Sequence, residues 1–182
     1  GEEAYSLAIL LCEYAESLAQ PPLIQVFASE IDEDMISTAR DGVFPESIVT
    51  DVSPARLHNY FIKEPGRYRV KKSIREKVLF ATHNLIKDPP FSKLDLISCR
   101  NLLIYLNREM QEQILSLFHF ALKPGGFLFL GSSESTDGAI DLFSVVDKKH
   151  RIFQSKMIPR SISPVPALPL GDVLGKPSGR PE

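Results

Sequence analysis

The sequence predicts an α/β fold: a mostly parallel sheet that takes a nucleotide-type ligand at its strand ends. Three observations predict it. Leu94–Cys99 is a short apolar run that stops abruptly on Arg100-Asn101. Phe127–Leu130 is a second such run, reached through a long amphipathic segment and the turn Lys123-Pro124-Gly125-Gly126. Leu23–Ser29 is a third, and it ends on Glu30. Polar residues at the C-terminal ends of parallel strands lie on the edge where open α/β sheets bind their ligands.

The elements follow in order. Leu7, Leu10, Leu11, Tyr14, Ala15 and Leu18 recur at helical spacing, and Pro21-Pro22 stops that helix. The chain opens on this helix with no strand before it, so we expect a fragment of a larger βαβ arrangement. After the strand Leu23–Ser29, Asp32 is placed to cap a helix over Glu33–Asp41 that Gly42 ends. Alternation then breaks. Ser53-Pro54 starts a helix over Ala55–Phe61, Pro65-Gly66 is a turn, and Tyr68 and Val70 alternate with basic residues. This stretch predicts a small antiparallel hairpin inserted between the main units. Val78–Ala81 is the next strand, leading into Thr82-His83-Asn84-Leu85, and Leu94–Cys99 follows.

Asn107 is placed to cap a helix over Arg108–Leu122, with Met110, Ile114, Leu117, Phe118 and Ala121 on its apolar face. Lys-Pro-Gly-Gly is expected to terminate that helix before Phe127–Leu130. The last two strands, Leu142–Val146 and Arg151–Gln154, are joined by so short a turn that they must be antiparallel. From Met157 to Glu182 the chain carries six prolines, three glycines and no aromatic residue. That composition predicts a disordered linker. The expected organisation is one domain over 1–156, an inserted β-subdomain at 44–77, and a tail over 157–182.

Bulk properties narrow the classes. A chain of 182 residues with 43% hydrophobic and 24% charged content supports one domain with a real core. Its net charge of −2 gives no global reason to bind nucleic acid or an anionic membrane. Cys12 and Cys99 lie in apolar patterns, and two free thiols fit a reducing compartment. No apolar run approaches the roughly 18 residues of a membrane span, and there is no signal-peptide layout, so we expect a cytoplasmic protein. His58, His83, His119 and His150 show no metal-ligand spacing, and no metal is expected. The glycine fingerprint of dinucleotide binding, the phosphate-binding loop and the nucleophile elbow are all missing.

Each candidate residue carries two readings. Glu2 and Glu3 favour a helix N-terminus through its dipole, or offer a carboxylate to a ligand ammonium group. Glu30 either terminates a strand or accepts both hydroxyls of a ribose. Asn84 is an ordinary turn residue or a partner for an adenine edge, with Leu85 covering the ring. Arg100 needs a partner, which is a carboxylate in the sheet or a ligand group; Asn101 shares its position. Tyr105 belongs to the core, or turns its hydroxyl to the pocket. The basic run holding Arg67, Arg69, Lys71, Lys72, Arg75 and Lys77 is a solvated hairpin face, or a docking edge for an acidic or extended peptide.

Several motifs together, GEEAYSLA, FASEID with STARDGVF, ATHNL, SCRNLLIY, LKPGGFLFLGSSE and RIFQSK, resemble chemotaxis-receptor glutamate methyltransferases of the CheR type. The likeness runs from Gly1 to about Lys156. It implies a Rossmann-like S-adenosylmethionine methyltransferase sheet with a β-subdomain inserted after the second strand. The implied activity is conversion of glutamate side chains of membrane chemoreceptors to methyl esters, with S-adenosylhomocysteine as product. In some members the subdomain docks the receptor's C-terminal peptide, and Arg69, Lys71, Lys72 and Arg75 are its implied docking residues here. By motif position, Glu3 would meet the methionine amino group, Glu30 the ribose, and Asn84 and Leu85 the adenine. Arg100 and Asn101 would line the cofactor pocket, and Tyr105 would sit near the transferred methyl.

The chain departs from the family pattern in three ways. Glu30 stands where members usually show Asp, and the family's first strand and its helical domain do not precede GEE. The proline-rich tail resembles that of members fused to other signalling modules. Two further readings stay open. One is a non-catalytic relic that docks signalling partners through the β-subdomain; the other, a different Rossmann-like oxidoreductase, lacks its glycine fingerprint.

Overall fold

The structure is a computed structural model and describes residues 1–158. The proline-rich tail expected to be a linker lies, from residue 159 onward, outside the described residues. The chain forms two compact units, Gly1–Asn84 and Leu85–Glu182.

The first unit begins with α1 (Glu2–Glu16), β1 (Val26–Glu30) and α2 (Glu33–Asp41). Asp32 caps α2 by accepting from the N–H groups of Asp34 and Met35, and Gly42 closes it at φ 61°. That left-handed angle favours glycine there. The inserted sheet comes next, built from β2 (Val43–Pro45), α3 (Pro54–Tyr60), β3 (Phe61–Glu64) and β4 (Arg67–Val70). Its strand order is β2-β4-β3, and both pairings are antiparallel. A single turn, α4 (Lys72–Arg75), leads to β5 (Val78–Thr82), which pairs in parallel with β1.

Three expectations need correction here. The hairpin ends at Val70, so Lys72 and Arg75 sit on α4 rather than on a strand. Phe61 does not finish α3 but opens β3, where its ring joins the core. The buried face of α1 is Tyr5, Ala8, Ile9, Cys12 and Ala15, whereas Leu10, Leu11, Tyr14 and Leu18 are at least a third exposed. That face, carrying alanines and a cysteine, packs in one cluster with Ile36, Val78 and Phe80.

Strand β1 is buried on one face only. Val26 and Ala28, in register with Val78 and Phe80, face the core, while Phe27 and its partner Leu79 are 45% and 52% exposed. Helices α1 and α2 are tied to each other and to the strands by polar contacts. Tyr5 donates its hydroxyl to the Ala39 carbonyl at 2.9 Å, and Arg40 donates to the Phe80 carbonyl at 2.8 Å. Burial pushes the Tyr5 hydroxyl's pKa up, only partly opposed by Arg75.

The second unit is a four-stranded sheet with one covering helix. Strand β6 (Leu94–Cys99) runs parallel to β7 (Leu122–Leu130); β8 (Phe143–Asp147) and β9 (Ile152–Ser155) complete the order β6-β7-β9-β8 with antiparallel pairings. Helix α5 (Arg108–Ala121) starts where expected, with Asn107 Oδ1 accepting from the Met110 N–H. Its residues Ile114, Leu115 and Phe118 pack on Leu128, Leu130 and Phe153. Burying each such side chain contributes about 1.5–3 kcal/mol. Lys-Pro-Gly-Gly is not a separate turn after α5. The strand begins at Leu122, pairs with Leu94, and bulges before pairing resumes at Leu96 and Phe127.

Helix α1 is joined to the inserted subdomain by an ion pair, with Arg56 donating from Nε and Nη2 to Glu13 at 2.9 and 2.7 Å. The guanidinium hydrogen bond holds the Glu13 carboxyl below its ordinary range. Its contribution is therefore present above the usual carboxylate range and lost as pH falls through the lowered value. Both groups are substantially exposed, so the coupling is modest. A double-mutant cycle with Glu13→Gln and Arg56→Ala should give about 0.2–1 kcal/mol near neutral pH and nothing in strong acid. Coupling that persists unchanged in acid would contradict the assignment.

Candidate functional site

Within each unit, taken by itself, a parallel pairing sets its strand-end candidates side by side. In the first unit Glu30 is in register with Thr82, and the His83 N–H donates to the Glu30 carbonyl at 3.0 Å. The strand-end acid and the Thr82–Asn84 turn are therefore neighbours. Glu30 also turns its side chain onto its own loop, where Oε1 accepts from the Ile31 N–H at 2.7 Å and, weakly, from the Asp32 N–H at 3.4 Å. Glutamate has the reach to fold back in this way and so orders the β1–α2 turn. Glu3 lies exposed in the first turn of α1, where the helix dipole favours an acid.

In the second unit Cys99 is in register with Leu130, so Arg100-Asn101 and Gly131 leave the sheet side by side. The Arg100 guanidinium lies over the Phe129 ring at 5.1 Å, a cation–π contact of about 0.5–1 kcal/mol at an exposed position. Asn101 adopts φ 60°, a left-handed conformation that few residues other than glycine accept. Asn accepts it more readily than most. The chain then makes a 3-10 turn, Leu103–Tyr105, in which Leu103 is buried while Tyr105 is 79% exposed. Tyr105 is thus not a core residue. Leu85, expected over a ligand ring, is partly buried against the second core.

A residue that the sequence did not single out organises this loop. Glu134, in the Gly-Ser-Ser-Glu turn after β7, is only 4% exposed. Its Oε2 accepts from the N–H groups of Gly131 at 2.6 Å and Asn101 at 3.0 Å; Oε1 accepts from that of Leu103 at 2.7 Å. A buried carboxylate is tolerable only with such donors. Gly131 leaves room for the arrangement, since a Cβ there would stand 2.7 Å from Glu134 Oε2 and 3.0 Å from the Asn101 nitrogen. The only sequence signal for Glu134 was its place inside a family-like motif.

The basic residues are largely occupied within the subdomain. Glu64 accepts from both Arg67 and Arg69, which lowers the Glu64 pKa and raises that of Arg69. Arg69 also donates to the Asp41 carbonyl, and Lys71 to that of His58 at 3.0 Å. Lys72 reaches Glu76 at 3.4 Å with its side chain 79% exposed, and Arg75 lies near the Asp41 carbonyl with a buried Nε. Arg67 and Arg69 lie on β4, the central strand; β2 and β3 are the edges of the inserted sheet. No cluster of three metal-ligating side chains occurs among the described residues, and no described helix is long and apolar enough to cross a membrane.

Within each unit a parallel strand pair carries polar residues at its C-terminal ends, the edge at which open α/β sheets take ligands. Residues 1–152 match the family described as CheR methyltransferase, SAM binding domain. The chain belongs to that family, so its fold is Rossmann-like and its cofactor is S-adenosylmethionine. It is 37% identical over 151 residues to chemotaxis protein methyltransferase 1 of Pseudomonas aeruginosa, covering 80% of this chain and 55% of that protein. The chemotaxis protein methyltransferase of Salmonella typhimurium is likewise 37% identical, over 80% of this chain and 52% of its own length. An uncharacterised 104.1 kDa protein of Rhodobacter capsulatus is 42% identical over 155 residues, which are 85% of this chain and 16% of that protein. The chain therefore spans about half the length of the chemotaxis methyltransferases it matches.

The tight trio at the loop makes a direct prediction. Gly131→Ala should cost about 1–3 kcal/mol, because its Cβ meets backbone and a fixed carboxylate. Gly138→Ala, whose Cβ would stand 2.8 Å from Glu112 Cγ and meet no backbone, should cost less than Gly131→Ala because the Glu112 side chain can turn away. Urea unfolding of both variants checks the ranking, and equal losses would contradict it.

Proposed function

We propose that this chain binds S-adenosylmethionine and serves methyl transfer to glutamate carboxylates of chemoreceptors, giving methyl esters. The observation carrying the proposal is the exposed Arg100–Tyr105 loop at the end of β6, in a chain whose family is defined by that cofactor. The residues suit the group. Glu30 is an exposed strand-end carboxylate able to accept ribose hydroxyls, and its longer side chain compared with Asp already engages the local amides. Glu3 would receive the methionine ammonium, Asn84 an adenine edge with Leu85 beside it, and Arg100 and Asn101 would line the pocket.

When bound, the cofactor supplies a methyl group already activated on a sulfonium. The acceptor carboxylate, with an ordinary pKa of about 4.3, is ionised at neutral pH and needs no general base. What remains for the protein is alignment, which can remove roughly 7–11 kcal/mol of barrier. Tyr105 and Arg100 therefore orient groups and move no proton. The acceptor is a chemoreceptor's cytoplasmic domain or C-terminal peptide, docked on the inserted sheet. Edge strand β3, next to the basic residues, supports that placement. We place the protein in the cytoplasm, where those receptor segments lie, and expect signalling domains fused to it.

Calorimetry with S-adenosylhomocysteine on the natural-length protein should detect binding; silence would favour a non-catalytic docking module. Arg100→Ala should weaken that binding by about tenfold or more, on the order of 1.4 kcal/mol, and unchanged affinity would remove Arg100 from the pocket. Lys72→Glu reverses the most exposed charge of the proposed docking face. It should raise the KM for receptor several-fold through lost steering and leave S-adenosylhomocysteine affinity unchanged. Equal loss of both would mean that this face only supports the fold.

A further inference from the structure

Three backbone N–H groups, from the end of β7, the end of β6 and the start of the 3-10 turn, meet one carboxylate. Glu134 takes Gly131 and Asn101 on Oε2 and Leu103 on Oε1, at 2.6, 3.0 and 2.7 Å. The Glu134 N–H in turn donates to the Gly131 carbonyl at 3.0 Å, so the clamp closes its own turn. Between the clamped amides lies Leu102; beside them lie Arg100 and Tyr105. The side chain is buried and touches the loop through backbone alone, yet it fixes the left-handed turn at Asn101.

We propose that Glu134 is a positioning residue for methyl transfer. It sets the path of the Arg100–Tyr105 loop, and so the placement of Arg100, Asn101 and Tyr105 toward the methyl donor and the acceptor carboxylate. This rests on the functional reading above. Chemistry selects the residue type: only a carboxylate offers two acceptor oxygens and no donor. Glutamine at this position turns an NH2 toward at least one backbone N–H. Aspartate keeps the charge but is one methylene too short to span β6, β7 and the turn together.

The test begins with the wild-type protein at its natural length. Amide hydrogen exchange at Gly131, Asn101 and Leu103 should run at least about a hundredfold slower than in an unstructured chain. Exchange at the unstructured rate for Asn101 and Leu103 overturns the clamp. In Glu134→Gln, kcat at saturating donor and acceptor should fall by about tenfold or more in protein that is still folded at the assay temperature. S-adenosylhomocysteine should also bind more weakly. A variant that melts earlier but keeps full kcat and affinity assigns Glu134 a structural role only and overturns the proposal. If Glu134→Gln does not fold, Glu134→Asp carries the same expectations, and the wild-type exchange rates decide by themselves. Wild-type protein that binds no S-adenosylhomocysteine sinks the functional reading instead, which the exchange rates leave visible as a separate failure.

Discussion

A carboxylate taken out of water must be met by donors, and Glu134 meets that demand with the backbone of two neighbouring strand ends. Much of the second unit's edge follows from this constraint. Strands β6 and β7 must finish level with each other, Gly131 must lack a side chain, and Asn101 must take a left-handed turn. Leu103 is then drawn into the core while Tyr105 two residues later is turned out to solvent. The loop is consequently tied to the sheet through three backbone N–H groups that donate to one carboxylate.

The elements that sequence reasoning located well are those with chemical end signals. Asp32 and Gly42 bracket α2, Asn107 starts α5, and Ser53 accepts from the Arg56 N–H at the start of α3, all by local hydrogen bonds or local backbone angles. Features set by distant packing were not legible. Leucines and a tyrosine on α1 suggested one buried face, and the strands selected another, with smaller residues. Lys-Pro-Gly-Gly looked like a helix stop, although pairing of Leu122 with Leu94 draws the turn into the strand as a bulge.

The same division holds for the site. Arg100, Asn101 and Tyr105 were visible because an apolar run ended abruptly on polar residues, and Glu30 because an acid followed a strand. Glu134 was not visible. A glutamate after Gly-Ser-Ser reads as solvated loop, and its partners Asn101 and Leu103 are 33 and 31 residues away. The basic run near the hairpin was visible as charge, but not its ion pairing with Glu64 or its hydrogen bonds to backbone carbonyls. Those bonds leave fewer free cations for an acidic partner than composition had suggested.

The proposed methyl transfer to a carboxylate asks for alignment rather than acid–base chemistry, which suits a loop held by backbone hydrogen bonds. The most direct measurement is a crystal structure of the natural-length protein with S-adenosylhomocysteine bound. Ribose hydroxyls should lie within hydrogen-bonding distance of the Glu30 carboxylate, and the homocysteine portion against Arg100 and Asn101. A ligand that touches neither Glu30 nor the Arg100–Tyr105 loop would contradict that arrangement.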